Sequence, residues 1–145
     1  HWIPEEIGYT KVFAMLKHGG AFARFANHPS YDRSRPKLFE DIQSLYATYM
    51  NYTAPPDEYG IENARQRAKV ALKYGFEDIR YFLFERERAF TSDEYVALLG
   101  TYSDHIALEE GIRREFFSKI KQAIKSHGGF ITVYDTIDLQ LARKP

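Results

Sequence analysis

The sequence predicts an α/β domain. Helical stripes and strand-like apolar runs alternate along the chain, and prolines and glycine pairs punctuate the junctions. Nothing repeats and nothing is of low complexity. The expected order is helix, strand, helix, helix, strand, helix, helix, strand, which gives about three strands and about five helices in a single domain over residues 1–145.

Pro4 followed by Glu5 and Glu6 starts the first helix, because proline suits the first turn and carboxylates suit the positive end of the dipole. Ile7, Val12, Phe13 and Leu16 share its apolar stripe, and Gly19-Gly20 stops it. Ala21 to Ala26 reads as a short buried strand carrying Phe22 and Phe25, ended by an Asn27-His28-Pro29 turn. Ser30 to Arg35 is loop-like. Pro36 opens a helix with Leu38, Ile42, Leu45 and Tyr49 on one face and Tyr46 beside them. Thr53-Ala54-Pro55-Pro56 punctuates the chain, and a third helix is expected from about Asp57 to Tyr74, with Gly75 behind it.

Phe76 to Arg88 alternates, with Ile79, Tyr81 and Leu83 on one side and Arg80, Phe82 and Phe84 on the other, as expected of a strand covered on both faces. Thr91-Ser92-Asp93-Glu94 is a capping box that starts a helix ending at Gly100. Residues 101–108 read as a connector. Glu109 to His127 is a long helix with Ile112, Phe116, Phe117, Ile120 and Ile124 inward, stopped by Gly128-Gly129. The closing strand, Phe130 to Ala142, aligns Ile131, Val133, Ile137, Leu139 and Leu141; Asp135 interrupts that face, so a bulge or turn is expected there. Gly19, Gly20, Gly60, Gly75, Gly128 and Gly129 all read as helix stops.

With 44% hydrophobic and 28% charged residues, the composition is that of a globular protein. Twenty basic and twenty acidic side chains cancel, which argues against a nucleic-acid partner held by net positive charge. The absence of cysteine excludes disulfides, thiolate metal sites and cysteine nucleophiles. No apolar run approaches the roughly 18 residues of a membrane span, and no signal peptide is present, so the expected compartment is the cytoplasm. Eleven Tyr and eleven Phe exceed what a core of this size needs, leaving tyrosines for a pocket wall.

Two stretches resemble known proteins. His1-Trp2-Ile3-Pro4, then Leu16-Lys17-His18-Gly19-Gly20 and a hydrophobic strand, are similar to the segment of class I S-adenosylmethionine-dependent methyltransferases that leads from the fourth strand to the fifth. Phe90 through Tyr95, Leu98-Leu99 and Thr101-Tyr102-Ser103-Asp104-His105 to Leu108, followed by a long helix, Gly128-Gly129 and a last strand, resemble the end of small-molecule methyltransferases of the ubiquinone-biosynthesis and trans-aconitate type. The resemblance implies the C-terminal half of a Rossmann-like fold with its last strand antiparallel, and a substrate lid over about residues 30–74. It also implies S-adenosylmethionine as the cofactor of the full-length parent and a small-molecule methyl acceptor as its substrate. The family's Gly-rich turn after its first strand is missing, so the chain is expected to be a fragment, inactive alone and unable to bind the cofactor. With its fourth strand gone, Ala21 to Ala26 is expected to be an edge strand, and the fragment is expected to self-associate as a dimer through this edge or through an exchange of elements between two chains.

By the same resemblance, His1 and Trp2 of the parent lie at the mouth of the fourth strand on the cofactor side; in the fragment alone the alternative is a frayed His1 and a Trp2 packed against the first helix. Tyr46, Tyr49 and Tyr52 recur at helical spacing on the lid, where they face either a substrate or the core; Tyr46 is the better pocket candidate. Tyr102, Asp104 and His105 form the densest polar group of a connector. Positioning or capping suits them better than proton transfer, and Tyr102 and His105 join Tyr46 and Tyr49 as candidate substrate contacts. His18, His28 and His127 lack metal-ligand spacing. Arg80, Arg86 and Arg88 with Glu85 and Glu87 read as strand-end ion pairs. The alternative function is a free-standing α/β interaction module binding a partner through its aromatic surface. A glycine turn about 60–70 residues upstream of His1 decides for the enzyme.

Overall fold

A strand that mixes aliphatic residues with aspartates must find cover for the first and hydrogen-bond partners for the second. In the computed structural model that strand is the middle of a three-stranded sheet of order β1-β3-β2. The structure describes residues 3–32, 34–52 and 58–145. In chain order the elements are α1 (Glu5–Met15), β1 (Ala21–Tyr31), α2 (Pro36–Met50), α3 (Ile61–Lys69) running into a 3-10 turn (Val70–Tyr74), and β2 (Glu77–Thr91). They continue with α4 (Ser92–Leu99), α5 (Ser103–Ile106), α6 (Glu110–Ser126) and β3 (Phe130–Arg143). The expected α/β class and the antiparallel last strand are present. Gly19 and Gly20 pair with Lys144 at one end of the β1–β3 ladder, and the Ser92 amide bonds the Gly129 carbonyl beyond the end of β2. One short helix, α5, replaces part of the expected 101–108 connector. No helix among the described residues is long and apolar enough to cross a membrane.

The chain divides into two compact units, one from His1–His28, Glu58–Arg86 and Asp135–Pro145, the other from Pro29–Asp57 and Glu87–Tyr134. In the first, Tyr9, Ala71, Phe76 and Ala142 are buried, with Phe13, Phe22 and Ile79 packed against them. Tyr9 stacks on Tyr74 at 4.9 Å and meets Phe22 edge-on at 5.4 Å. These ring contacts turn α1 so that Tyr9 is its buried residue while Ile7, expected inward, is exposed. Lys144 closes the other end of α1, donating from Nζ to the Phe13 and Leu16 carbonyls at 2.8 Å each.

β1 does not stop at Asn27-His28-Pro29 but runs on to Tyr31. The reason lies on β3. Asp135 and Asp138 are buried, and Asn27 Nδ2 donates to Asp135 at 2.8 Å while His28 Nε2 lies 2.9 Å from Asp138. Both turn-forming residues are thereby fixed in extended backbone, and Pro29 is tolerated because β1 is an edge strand. Arg86 joins Asp135 at 3.2 Å, rather than the neighbouring glutamates.

The alternation of β3 also shifts. Ile131 and Val133 are buried as expected, but beyond Asp135 the buried positions are Asp138, Gln140 and Ala142, with Ile137, Leu139 and Leu141 half-covered. The edge strands are covered on one face only. Phe25, expected to be buried, is 74% exposed, and Phe82 and Phe84 are exposed too, against the expectation of a β2 covered on both sides. Gly60 is not a helix stop; it precedes α3, its amide donating to Asn63 Oδ1 at 2.9 Å.

In the second unit Leu38 and Ile42 of α2, Leu99 of α4, Phe116, Ile120 and Ile124 of α6, and Ile131 of β3 form one buried cluster. The capping box forms as expected: Thr91 accepts from the Glu94 amide at 3.3 Å, and Glu94 accepts from the Thr91 amide at 2.8 Å. Glu109 caps α6 through the Gly111 and Ile112 amides, and this places Ile112 in the exposed first turn rather than inward. Asn51 ends α2 in the left-handed region, φ 57°, a conformation asparagine adopts at modest cost.

Phe116 has no exposed surface and touches the rings of Tyr46, Tyr49, His105 and Phe117. Phe116→Ala is expected to lower stability by about 3–5 kcal/mol, whereas the exposed Ile112→Ala shifts it by only about 0.5 kcal/mol. Urea unfolding of the two variants checks this, and equal losses would remove Phe116 from the centre of the core.

Candidate functional site

The 101–108 segment has to satisfy a carboxylate and an imidazole that sit side by side in the sequence. Tyr102 precedes α5, and this single turn draws His105 inward until it is 2% exposed. Asp104 Oδ1 accepts from the His105 amide at 2.9 Å and lies 2.8 Å from His105 Nδ1. On the far side of the ring, His105 Nε2 is 2.9 Å from the Tyr46 hydroxyl. Tyr52 donates to Asp104 Oδ2 at 3.0 Å. A carboxylate, an imidazole and two phenols are thus joined by hydrogen bonds, with the imidazole stacked on Phe116 at 5.9 Å.

Burial works against the ionised form of Asp104, but the hydrogen bonds from His105 and Tyr52 outweigh it and hold the carboxyl below its usual range. Asp104 is therefore the ionised acceptor, Nδ1 of His105 carries the proton that faces it, and Nε2 is left as a lone pair that the Tyr46 hydroxyl fills. Burial, then the neighbouring Tyr95 and the charge on Asp104, push Tyr46 far above the ordinary tyrosine range. Tyr95, under the same cover and close to Tyr102, is pushed up to about 12. These phenols stay neutral at any physiological pH, so they act as hydrogen-bonding groups and not as anions.

The hydroxyls gather at one side of a cavity of about 370 Å³. Leu38, Phe39 and Ile42 of α2, Leu98 and Leu99 of α4, and Ile131 and Val133 of β3 make its apolar walls, and Tyr46, Tyr52, Tyr95, Tyr102, Asp104 and His105 its polar side. Arg35 and Asp32 also line it. Arg35 donates to the Phe130 carbonyl at 2.6 Å and lies over the Phe130 ring at 4.7 Å, and Asp32 accepts from Ser34. A volume of this size, mostly apolar with a few converging polar groups, is that of a small-molecule site (about 300–1,000 Å³).

The structure brings Tyr46, Tyr102 and His105 to this cavity. Tyr49 does not line it; its ring stacks on Phe116 at 5.3 Å and its hydroxyl donates to Glu115 at 2.7 Å. His1 and Trp2 lie outside the described residues. Tyr95 stood in the sequence only as part of the methyltransferase-like run, and its place in the polar wall follows from tertiary packing. Of the other histidines, His18 meets the Pro145 carbonyl, His28 meets Asp138 and His127 meets Asp41. Among the described residues no group of three metal-ligating side chains is present.

A cradle for S-adenosylmethionine needs a glycine turn leading from a strand into a helix. The described glycines with positive φ are Gly19, Gly75, Gly128 and Gly129, and each follows a helix or helical turn. The described residues therefore do not form that cradle.

No protein-family model matches the chain, and no curated protein matches it. Among solved structures, it is similar to a proposed type II methyltransferase from Anaeromyxobacter dehalogenans, at 19% identity over 99% of this chain and 60% of that one, with a TM-score of 0.59. A proposed methyltransferase from Bacillus halodurans is similar at 16% identity over 94% of this chain and 61% of that one, with a TM-score of 0.41. Phosphoethanolamine N-methyltransferase 2 from Haemonchus contortus, solved with S-adenosyl-L-methionine, is similar at 16% identity over 94% and 29% of the two chains, with a TM-score of 0.33. The chain spans 60% of the length of the first. What it shares with that protein, over nearly all of its own length, is the fold.

Proposed function

We propose that this chain is the acceptor-binding part of an S-adenosylmethionine-dependent methyltransferase acting on a small molecule. The observation that carries the reading is the 370 Å³ cavity with the Tyr46–His105–Asp104 chain on its wall, in a chain whose fold is that of 60% of a longer protein described as a methyltransferase. α2, within a lid over about residues 30–74, supplies Tyr46, while α5 and the residue before it supply His105 and Tyr102. Their role is to hold and orient the acceptor, since exclusion of water and alignment contribute most to a displacement of this kind. Tyr49 supports the wall from behind through Phe116. The cofactor side belongs to segments other than the described ones, and this reading assigns His1 and Trp2 to it as cofactor contacts.

Two measurements test the proposal. Calorimetry of the 145-residue chain with S-adenosylmethionine is expected to give no binding in the micromolar range; a micromolar Kd would overturn the division of labour between this chain and an upstream segment. In a protein that continues upstream of His1, Tyr46→Ala is expected to cut kcat/KM for the acceptor by about tenfold or more, with cofactor affinity changed less than about twofold. Equal losses for both ligands would assign Tyr46 to the core alone. A full-length protein that transfers no labelled methyl group from S-adenosylmethionine to any small-molecule pool would sink the proposal altogether.

A further inference from the structure

The hydroxyl protons of Tyr46 and Tyr52, at the tyrosine end of the cavity, have a fixed direction. Asp104 is ionised and can only accept. His105 turns its Nδ1 proton toward it at 2.8 Å, so Nε2 can only accept, and the Tyr46 proton goes to Nε2 at 2.9 Å. The Tyr52 proton goes to Asp104 Oδ2 at 3.0 Å. The rings of Tyr46 and Tyr52 lie parallel, 6.0 Å apart. Both oxygens therefore keep lone pairs and have no proton left to give, and both line the cavity. A ligand that meets them must bring a donor.

The rest of the wall narrows the choice. Tyr95, hydrogen-bonded to Tyr46, and Tyr102 bring further hydroxyls to this end, and the carboxylate nearest the tyrosines already accepts from both His105 and Tyr52. An ammonium group would leave water for a carboxylate already supplied with donors, and a carboxylate ligand would lie beside the charge on Asp104. A hydroxyl on an apolar body supplies the donor and carries no charge into the cavity.

We infer that the cavity takes an uncharged, largely apolar molecule bearing a hydroxyl group, held by donation from that hydroxyl to Tyr46 or Tyr52. That this molecule is the methyl acceptor rests on the methyl-transfer reading above; the binding itself does not. The test is titration of the chain with 4-propylphenol, 4-propylanisole, 4-propylbenzylamine and 4-propylbenzoate, followed by calorimetry or by chemical-shift changes. The phenol is expected to bind about tenfold more tightly than its methyl ether, and more tightly than either charged probe. In Tyr46→Phe the phenol-to-ether ratio is expected to fall toward one while the ether's own affinity holds. If that variant does not fold, the more exposed Tyr52→Phe reports on the same wall. An ether that binds within twofold of the phenol, a charged probe that binds most tightly, or no binding of any probe at millimolar concentration would overturn the inference. No methyl donor enters the assay, so failure here leaves the methyl-transfer reading untouched, and failure of methyl transfer leaves this result standing.

Discussion

Asp138 has no exposed surface, and its carboxylate is held by His28, Tyr59 and Gln140 together. A buried carboxyl group costs several kcal/mol unless hydrogen-bond partners surround it, and much of the first unit follows from meeting that demand. His28 must come from β1, which keeps the strand extended through a sequence otherwise suited to a turn. Tyr59 stacks on the imidazole at 3.6 Å with its ring nearly parallel, and this ties the segment entering α3 to the sheet. Asp135 makes the same demand three residues earlier and draws in Asn27 and Arg86. The middle strand thus specifies the register of its neighbour through polar bonds as much as through apolar cover.

The second unit meets a related demand differently. Asp104 is only part-buried, and its donors come from an adjacent imidazole and a tyrosine on the segment following α2. Because His105 relays the polarity of Asp104 to Tyr46, the charge of one carboxylate orders protons two side chains away. Phe116 backs the imidazole and the Tyr46 ring alike, so the geometry of the polar wall depends on the same residue that centres the apolar core.

Local chemistry made the helices legible. The Thr91–Glu94 box, the proline starts and the glycine stops after α1, the 3-10 turn and α6 are all short-range signals, and they stand where the sequence places them. The strands were less legible because their extent is decided by partners far away. Nothing near Asn27-His28-Pro29 announces two aspartates more than 100 residues on. Faces were harder still: Phe25, Phe82 and Phe84 have the hydropathy of core residues but lie on strand faces left open in the structure, and the one-residue shift of β3 beyond Asp135 exchanges which side chains are covered. For the cavity, the polar density of Tyr102, Asp104 and His105 was visible in the sequence, as was Tyr46. The sequence preferred Tyr46 but kept Tyr49, three positions on along the same helix, as a second candidate; in the structure one side chain points to an imidazole and the other stacks on Phe116.

The order β1-β3-β2 has a consequence for how the protein comes to be folded. The strand that pairs with both others is the last of them in sequence. During synthesis β1 and β2 leave the ribosome before the strand that lies between them, and neither can close a ladder with the other. The helices can form early from local contacts, but the sheet waits for residues 130–143, and its β1–β3 contacts join segments more than 100 residues apart. Such non-local closure is slow, and until it happens two aromatic-rich strands stand open to neighbouring chains. The interval between emergence of β2 and arrival of β3 is therefore when a nascent chain is most exposed to misassociation, and when a chaperone has the most to shield.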